Sequence, residues 1–210
     1  MRFAPEKTAT HRTDSDGNPV MTMPTRFLLE NGPSNLFWNE IFCEKVLDFG
    51  AGKSFDAQLI VERIDMVKVG ISYEPNPHEG FEDRSEYPEG PFGLVVCNYV
   101  LNVLETEEQG REVIRQVFSL MNKFSHAMFS VRSDSNIAKQ NFPEKVSEDT
   151  FISKKTKEWY QVQKGFSESE LLSFIKETMD GQAVIRHIPF QKKPPKDCTM
   201  VLFRKRLPSS

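Results

Sequence analysis

With 210 residues, 38% of them hydrophobic, the chain is long enough for one domain built on a buried sheet and short for two. No run approaches the roughly 18 apolar residues of a membrane span, and MRFAPEKTATHRTD lacks the apolar core of a signal peptide, so a cytoplasmic protein is expected. A formal net charge of -3 gives no global attraction to nucleic acid. Cys43, Cys97 and Cys198 are scattered without CxxC spacing, which argues against a disulfide framework or a zinc knot; no metal is expected.

Residues 1–43 read as an arm with short helices. TDSDGNPV has little apolar periodicity, whereas PTRFLLENG has proline at a helix start and Gly32 as a stop. NLFWNEIF is a second short apolar segment. From residue 44 the pattern becomes regular. KVLDF reads as a buried strand, and SFDAQLIVERI as a helix with Phe55, Leu59, Ile60 and Ile64 at helical spacing. VKVGISYE and FGLVVCNYV follow as strands. TEEQGREVIRQVFSLM carries Val113, Ile114, Val117, Phe118 and Met121 on one helical face, and HAMFSVR is the next strand.

A polar stretch over 133–166 is too long for an ordinary connection and reads as a lid or substrate insert. SESELLSFIKETM then has Ser167 and Glu170 at capping-box spacing. QAVIRHIPF and CTMVLFRKR flank QKKPPKD as a terminal antiparallel hairpin. Strands separated by helical patterns imply right-handed crossovers, giving an α/β class with a mostly parallel sheet and helices on both faces.

The chemistry gathers at KVLDFGAGKS. A Walker loop, GxxxxGK[ST], would need glycine where Leu47 stands, and GxGxxG would need it at Phe55. Asp-x-Gly-x-Gly directly after a strand suits a different ligand: Gly50 and Gly52 let the backbone approach closely, and Asp48 accepts a hydrogen bond or offsets a cation.

VLDFGAGKS resembles the first motif of the class I S-adenosylmethionine-dependent methyltransferases. The likeness runs from about Glu44 to the end and implies a Rossmann-like, seven-stranded sheet with an antiparallel final hairpin. The family's third glycine is replaced by Lys53 or Ser54. GISYEPNP is similar to the second motif, which implies that Glu74 takes the ribose hydroxyls with Pro75 beside it. CNYVLNVLE matches the strand end that lines cofactor and substrate.

The resemblance therefore implies S-adenosylmethionine as cofactor, contacted by Asp48, Gly50, Ala51, Gly52, Glu74, Pro75 and Asn98. Asn98 and Tyr99 are the candidate catalytic residues, in imitation of an amine-holding Asn-Pro-Pro-aromatic motif whose prolines are absent here. KTATHR, PTRFLLENG, YVLNVLE and QVQKGFSESEL together resemble, in shortened form, the DNA phosphorothioation-associated methyltransferases.

That narrower likeness implies a nucleic-acid or nucleotide-like acceptor. A small-molecule methyltransferase and a non-catalytic S-adenosylmethionine-binding module are the alternatives. Arg132 at a strand's carboxyl end is placed to meet an anion, with Asp134 to orient it. His11 of the arm is a second candidate for a charged group, and Trp159, Tyr160, Gln161 and Gln163 offer stacking and amide recognition.

Overall fold

The computed structural model describes residues 2–4, 13–32, 44–142, 144–146 and 150–206. Among them the strands are β1 (Arg2–Phe3), β2 (Lys45–Phe49), β3 (Val69–Tyr73), β4 (Phe92–Asn98), β5 (Met121–Arg132), β6 (Glu144–Lys145), β7 (Thr150–Lys155), β8 (Trp159–Lys164), β9 (Val184–Ile188) and β10 (Cys198–Arg206). The helices are α1 (Met23–Asn31), α2 (Asp56–Arg63), α3 (Glu107–Ser119), α4 (Asp134–Ala138) and α5 (Glu168–Met179).

The main sheet has the order β3-β2-β4-β5-β10-β9. β3, β2, β4 and β5 are parallel, and β10 runs antiparallel to both β5 and β9. This is the expected parallel core with a terminal hairpin. Among the described residues this sheet has six strands, against the seven implied by the resemblance. Between β3 and β4, residues 82–85 form a 3-10 turn.

Side chains alternate across the sheet, as the period of two requires. Leu47, Val95, Cys97, Phe129 and Phe203 pack with Ile114, Val117 and Phe118 of α3 and with Leu171 and Ile175 of α5. Val46, Leu94, Val96, Met128 and Leu202 pack on the other face with Leu28 of α1 and with Leu59 and Ile60 of α2. Both faces are covered, which explains why β4 and most of β10 read as continuous apolar runs.

Two elements differ from the sequence reading. β5 begins at Met121 rather than at His126, and its start is bent: Phe124 has φ +67°, and the β4–β5 register shifts between Phe92 and Leu94. Such a bulge breaks the alternation that marks a strand in sequence. The insert, read from the sequence as a lid or substrate segment without elements of its own, forms α4 and, with β1, a second sheet of order β1-β8-β7-β6. The extreme N-terminus supplies its edge, with Arg2 and Phe3 pairing in parallel with Trp159 and Tyr160.

α3 and α5 both start with full capping boxes, Thr106 with Gln109 and Ser167 with Glu170. Ser167→Ala removes the acceptor for the Glu170 amide. It is expected to lower unfolding free energy by about 1 kcal/mol in urea titration, leaving the m-value unchanged.

Candidate functional site

β2 ends at Phe49 and the chain turns through Gly50, Ala51 and Gly52 towards α2. Gly50 has φ +71° and Gly52 φ +54°, backbone that residues with a Cβ enter only at a cost. The amides of Gly50 and Ala51 both donate to the Tyr73 carbonyl, at 2.8 and 2.9 Å. The Gly52 amide donates to Glu74 Oε2 at 2.9 Å, and the Asn76 amide to Oε1 at 3.1 Å. The turn is therefore closed against the end of β3. A phosphate-binding loop needs free amides, and here all three are spent on protein oxygens beside a carboxylate.

Arg84, in the 3-10 turn, braces the same loop from beneath. Its Nη1 donates to the carbonyls of Gly52 at 3.0 Å and Ser54 at 2.7 Å. The guanidinium lies 4.3 Å from the Phe81 ring centroid and 5.4 Å from that of Phe55, so it is buried between aromatic faces. Nothing in the local sequence marks this residue, because its partners lie about 30 positions away.

Asp48 is buried and accepts from Ser54 Oγ at 2.7 Å. Burial, helped by the charge of Asp56, raises its carboxyl to about 8, while the Ser54 hydrogen bond and Arg84 pull the other way. Ser54 Oγ also accepts from the Asp56 amide at 3.0 Å, tying the end of β2 to the start of α2.

A second polar network joins α1 to the sheet. Asp56, fully buried, accepts from the Thr22 amide at 2.7 Å, from the Thr22 hydroxyl, from Thr25 Oγ1 at 2.5 Å and from Asn98 Nδ2 at 3.0 Å. Asn98 Nδ2 also reaches Thr25 Oγ1 at 2.8 Å, and its Oδ1 accepts from Ser130 Oγ at 2.7 Å. Both amide atoms of Asn98 are thus engaged within the protein. Its neighbour Tyr99 takes φ +60°, its amide held by the Ser130 carbonyl at 2.8 Å. A non-glycine residue in that region is costly and is held there by its surroundings. The Tyr99 hydroxyl interacts with the buried Cys198 thiol, which burial pushes up to about 11.

These elements surround a cleft of about 580 Å³ at the carboxyl ends of the parallel strands. Asp48, Gly50, Ala51, Gly52, Glu74, Pro75, Asn98, Tyr99, Arg132 and Gln163 all line it. His11 lies outside the described residues. The strand order puts Glu74, Pro75, Asn76 and His78, which follow β3, on one side of β2 and β4; Arg132, Asn136 and Asp197 lie on the other.

Arg132 Nη1 donates to Asn136 Oδ1 at 3.0 Å, so Asn136 orients it; Asp134 instead accepts from the Ser135 amide. Of the insert's four recognition candidates only Gln163 lines the cleft. Trp159 packs against Lys154, Tyr160 reaches Glu105, and Gln161 is buried. Cys97 is in the core, whereas Val100 stands at the cleft wall against Gly50. Thr22, Asn102, Asn136 and Asp197 join the cleft without a sequence signal of their own.

Solved structures share this architecture. An S-adenosylmethionine-dependent methyltransferase from Clostridium acetobutylicum superposes with a TM-score of 0.60 at 8% identity, covering 91% of this chain and 94% of its own. The CcbJ methyltransferase from Streptomyces caelestis gives 0.55 at 10% identity, covering 92% and 93%. The fold is that of the S-adenosylmethionine-dependent methyltransferases. A third such structure, from Listeria monocytogenes, gives 0.53 at 10% identity over 80% and 93% of the two chains. No family model matches the chain and no curated protein sequence matches it, so the narrower resemblance to the phosphorothioation-associated group gains nothing from these comparisons.

The raised Asp48 carboxyl makes a pH prediction. Between its ordinary 3.8 and about 8 the folded protein holds a proton that the unfolded chain releases. Its contribution to stability is complete below that window and is lost as pH rises through it. Asp48→Asn has no proton to lose. Its stability relative to the parent chain is expected to improve by at least about 1 kcal/mol between pH 5 and pH 8, measured by urea unfolding at each pH.

Proposed function

We propose that this protein is an S-adenosylmethionine-dependent methyltransferase acting on a small anionic acceptor, a free nucleotide being within that class. The observation that carries the reading is the closed glycine turn facing Glu74. A Cβ on Gly50 would stand 2.4 Å from Val100 Cγ2, so this part of the cleft stays narrow and free of side chain, as a thin nucleoside and amino-acid moiety requires. The Glu74 oxygens accept the Gly52 and Asn76 amides, and a carboxylate, being acceptor-only, is the group that suits two vicinal hydroxyls. The residues present fit the cofactor.

When bound, S-adenosylmethionine supplies an electrophilic methyl on a sulfonium, so the protein's task is placement and water exclusion more than covalent help. We assign Asn98 to holding α1 against the cleft rather than to binding the acceptor, since its amino group is taken up by Thr22, Thr25 and Asp56. Tyr99 forms the wall between the two halves. Arg132, oriented by Asn136, takes the acceptor's carboxylate or phosphate in a two-pronged contact. Asp197, which precedes the Cys198 that pairs with Arg132 across β5 and β10, takes the proton that the acceptor releases.

The alternative of a polymeric nucleic-acid acceptor has less support. The expected amine-holding motif is absent, and the aromatic residues of the insert are used in packing outside the cleft.

Calorimetry with S-adenosylhomocysteine tests the cofactor half: the parent chain is expected to bind and Gly50→Ala to lose at least about tenfold, from the positive φ and the Val100 contact. No heat at high micromolar ligand contradicts the reading. For the acceptor half, Arg132→Ala is expected to keep S-adenosylhomocysteine affinity within about threefold while reducing transfer to the physiological acceptor about 100-fold, the loss of a charge-assisted contact. That acceptor is identified as the extract component that gains one methyl in mass.

A further inference from the structure

Arg84 closes a ring of three hydrogen bonds beneath the cleft. Its Nη1 donates to the Gly52 carbonyl at 3.0 Å, the Gly52 amide donates to Glu74 Oε2 at 2.9 Å, and the Glu74 amide donates to the Arg84 carbonyl at 2.9 Å. The two charged residues are thus joined twice, once through the main chain and once through Gly52. Gly52, at φ +54°, has both its amide and its carbonyl fixed, so the loop that aims the Glu74 carboxylate is itself held by Arg84.

Arg84 has little freedom of its own. It is 9% exposed, its amide donates to the Phe81 carbonyl at 3.1 Å, and Phe55 and Phe81 face its guanidinium. Burial lowers its pKa from the ordinary 12.5, the charges of Asp48, Asp83 and Glu74 oppose that, and the group stays a cation. A buried charge is a costly way to fill the space between two rings, since a well-packed apolar side chain of similar volume is often as stable there. What the guanidinium adds is direction, a planar donor set against the carbonyls of Gly52 and Ser54.

Glu74 lines the cleft and Arg84 does not. We propose that Arg84 is a positioning residue for the cofactor, acting through Gly52 to aim the Glu74 carboxylate at the two ribose hydroxyls. The inference rests on the methyltransferase reading and adds to it a residue that recognises the ribose from outside the cleft. It carries a specific signature. Without the guanidinium the carboxylate is free to turn, and a ligand is weakened only as far as its hydroxyls are concerned. A side chain that merely supported the fold would, when lost, weaken every ligand of the cleft alike.

The test is calorimetry on the full chain with S-adenosylhomocysteine and its 2′,3′-dideoxy analogue. The parent chain is expected to prefer the hydroxylated ligand about tenfold or more, the worth of hydrogen bonds to a charged group. Arg84→Met keeps the length and the packing between the rings. It is expected to reduce the preference to about threefold or less while affinity for the dideoxy analogue stays within about threefold. Arg84→Lys returns a cationic donor of similar reach without the planar fork and is expected to restore part of the preference. Should Arg84→Met fail to fold, Arg84→Lys decides alone: a preference at least about twofold below the parent's upholds the proposal, and the parental preference overturns it.

Equal losses for both ligands in Arg84→Met, or a preference that it leaves unchanged, overturn the proposal, as does a parent chain that binds the two ligands equally. A parent chain that binds neither contradicts the methyltransferase reading itself, and the inference falls with it.

Discussion

The structure depends on the closure of one turn against one strand end. Three successive amides, from Gly50, Ala51 and Gly52, find their acceptors in the Tyr73 carbonyl and the Glu74 carboxylate. Arg84 satisfies two carbonyls of the same loop from below. This closure fixes the floor of the cleft, aims α2, and presents Glu74 with its oxygens already oriented. It also selects against polyphosphates, because the donors they need are occupied and the Glu74 carboxylate stands beside them.

Around this floor the protein buries more polarity than its core alone would favour. Asp48, Asp56, Thr22, Thr25, Asn98 and Ser130 form satisfied networks, each member reaching at least one partner. Networks of this kind fix a unique arrangement when every group is paired. They hold α1, β2, α2 and β4 in one register behind the cleft.

The sequence made legible what is local. Strand, turn and helix after Lys45 follow from apolar runs and from two glycines at fixed spacing, and the Ser167 and Glu170 capping box is a three-residue signal. The line of cleft residues from Asp48 to Glu74 is read the same way. Contacts across many residues were not legible: Arg84 under Gly52, Thr25 on Asp56, Asn136 on Arg132 in place of the nearer Asp134. The insert hid its sheet because its strands are short and half-exposed and their edge comes from residues 2 and 3. Asn98 lines the cleft from its strand end, while its amino group serves the network behind it.

A crystal structure of the full chain grown with S-adenosylhomocysteine and ATP together at equal concentration tests the central claim most directly. The account predicts the thioether nucleoside along the glycine turn with its ribose hydroxyls on Glu74. ATP in that cleft, its phosphates against the amides of residues 50–52 after these have left Tyr73 and Glu74, would contradict it.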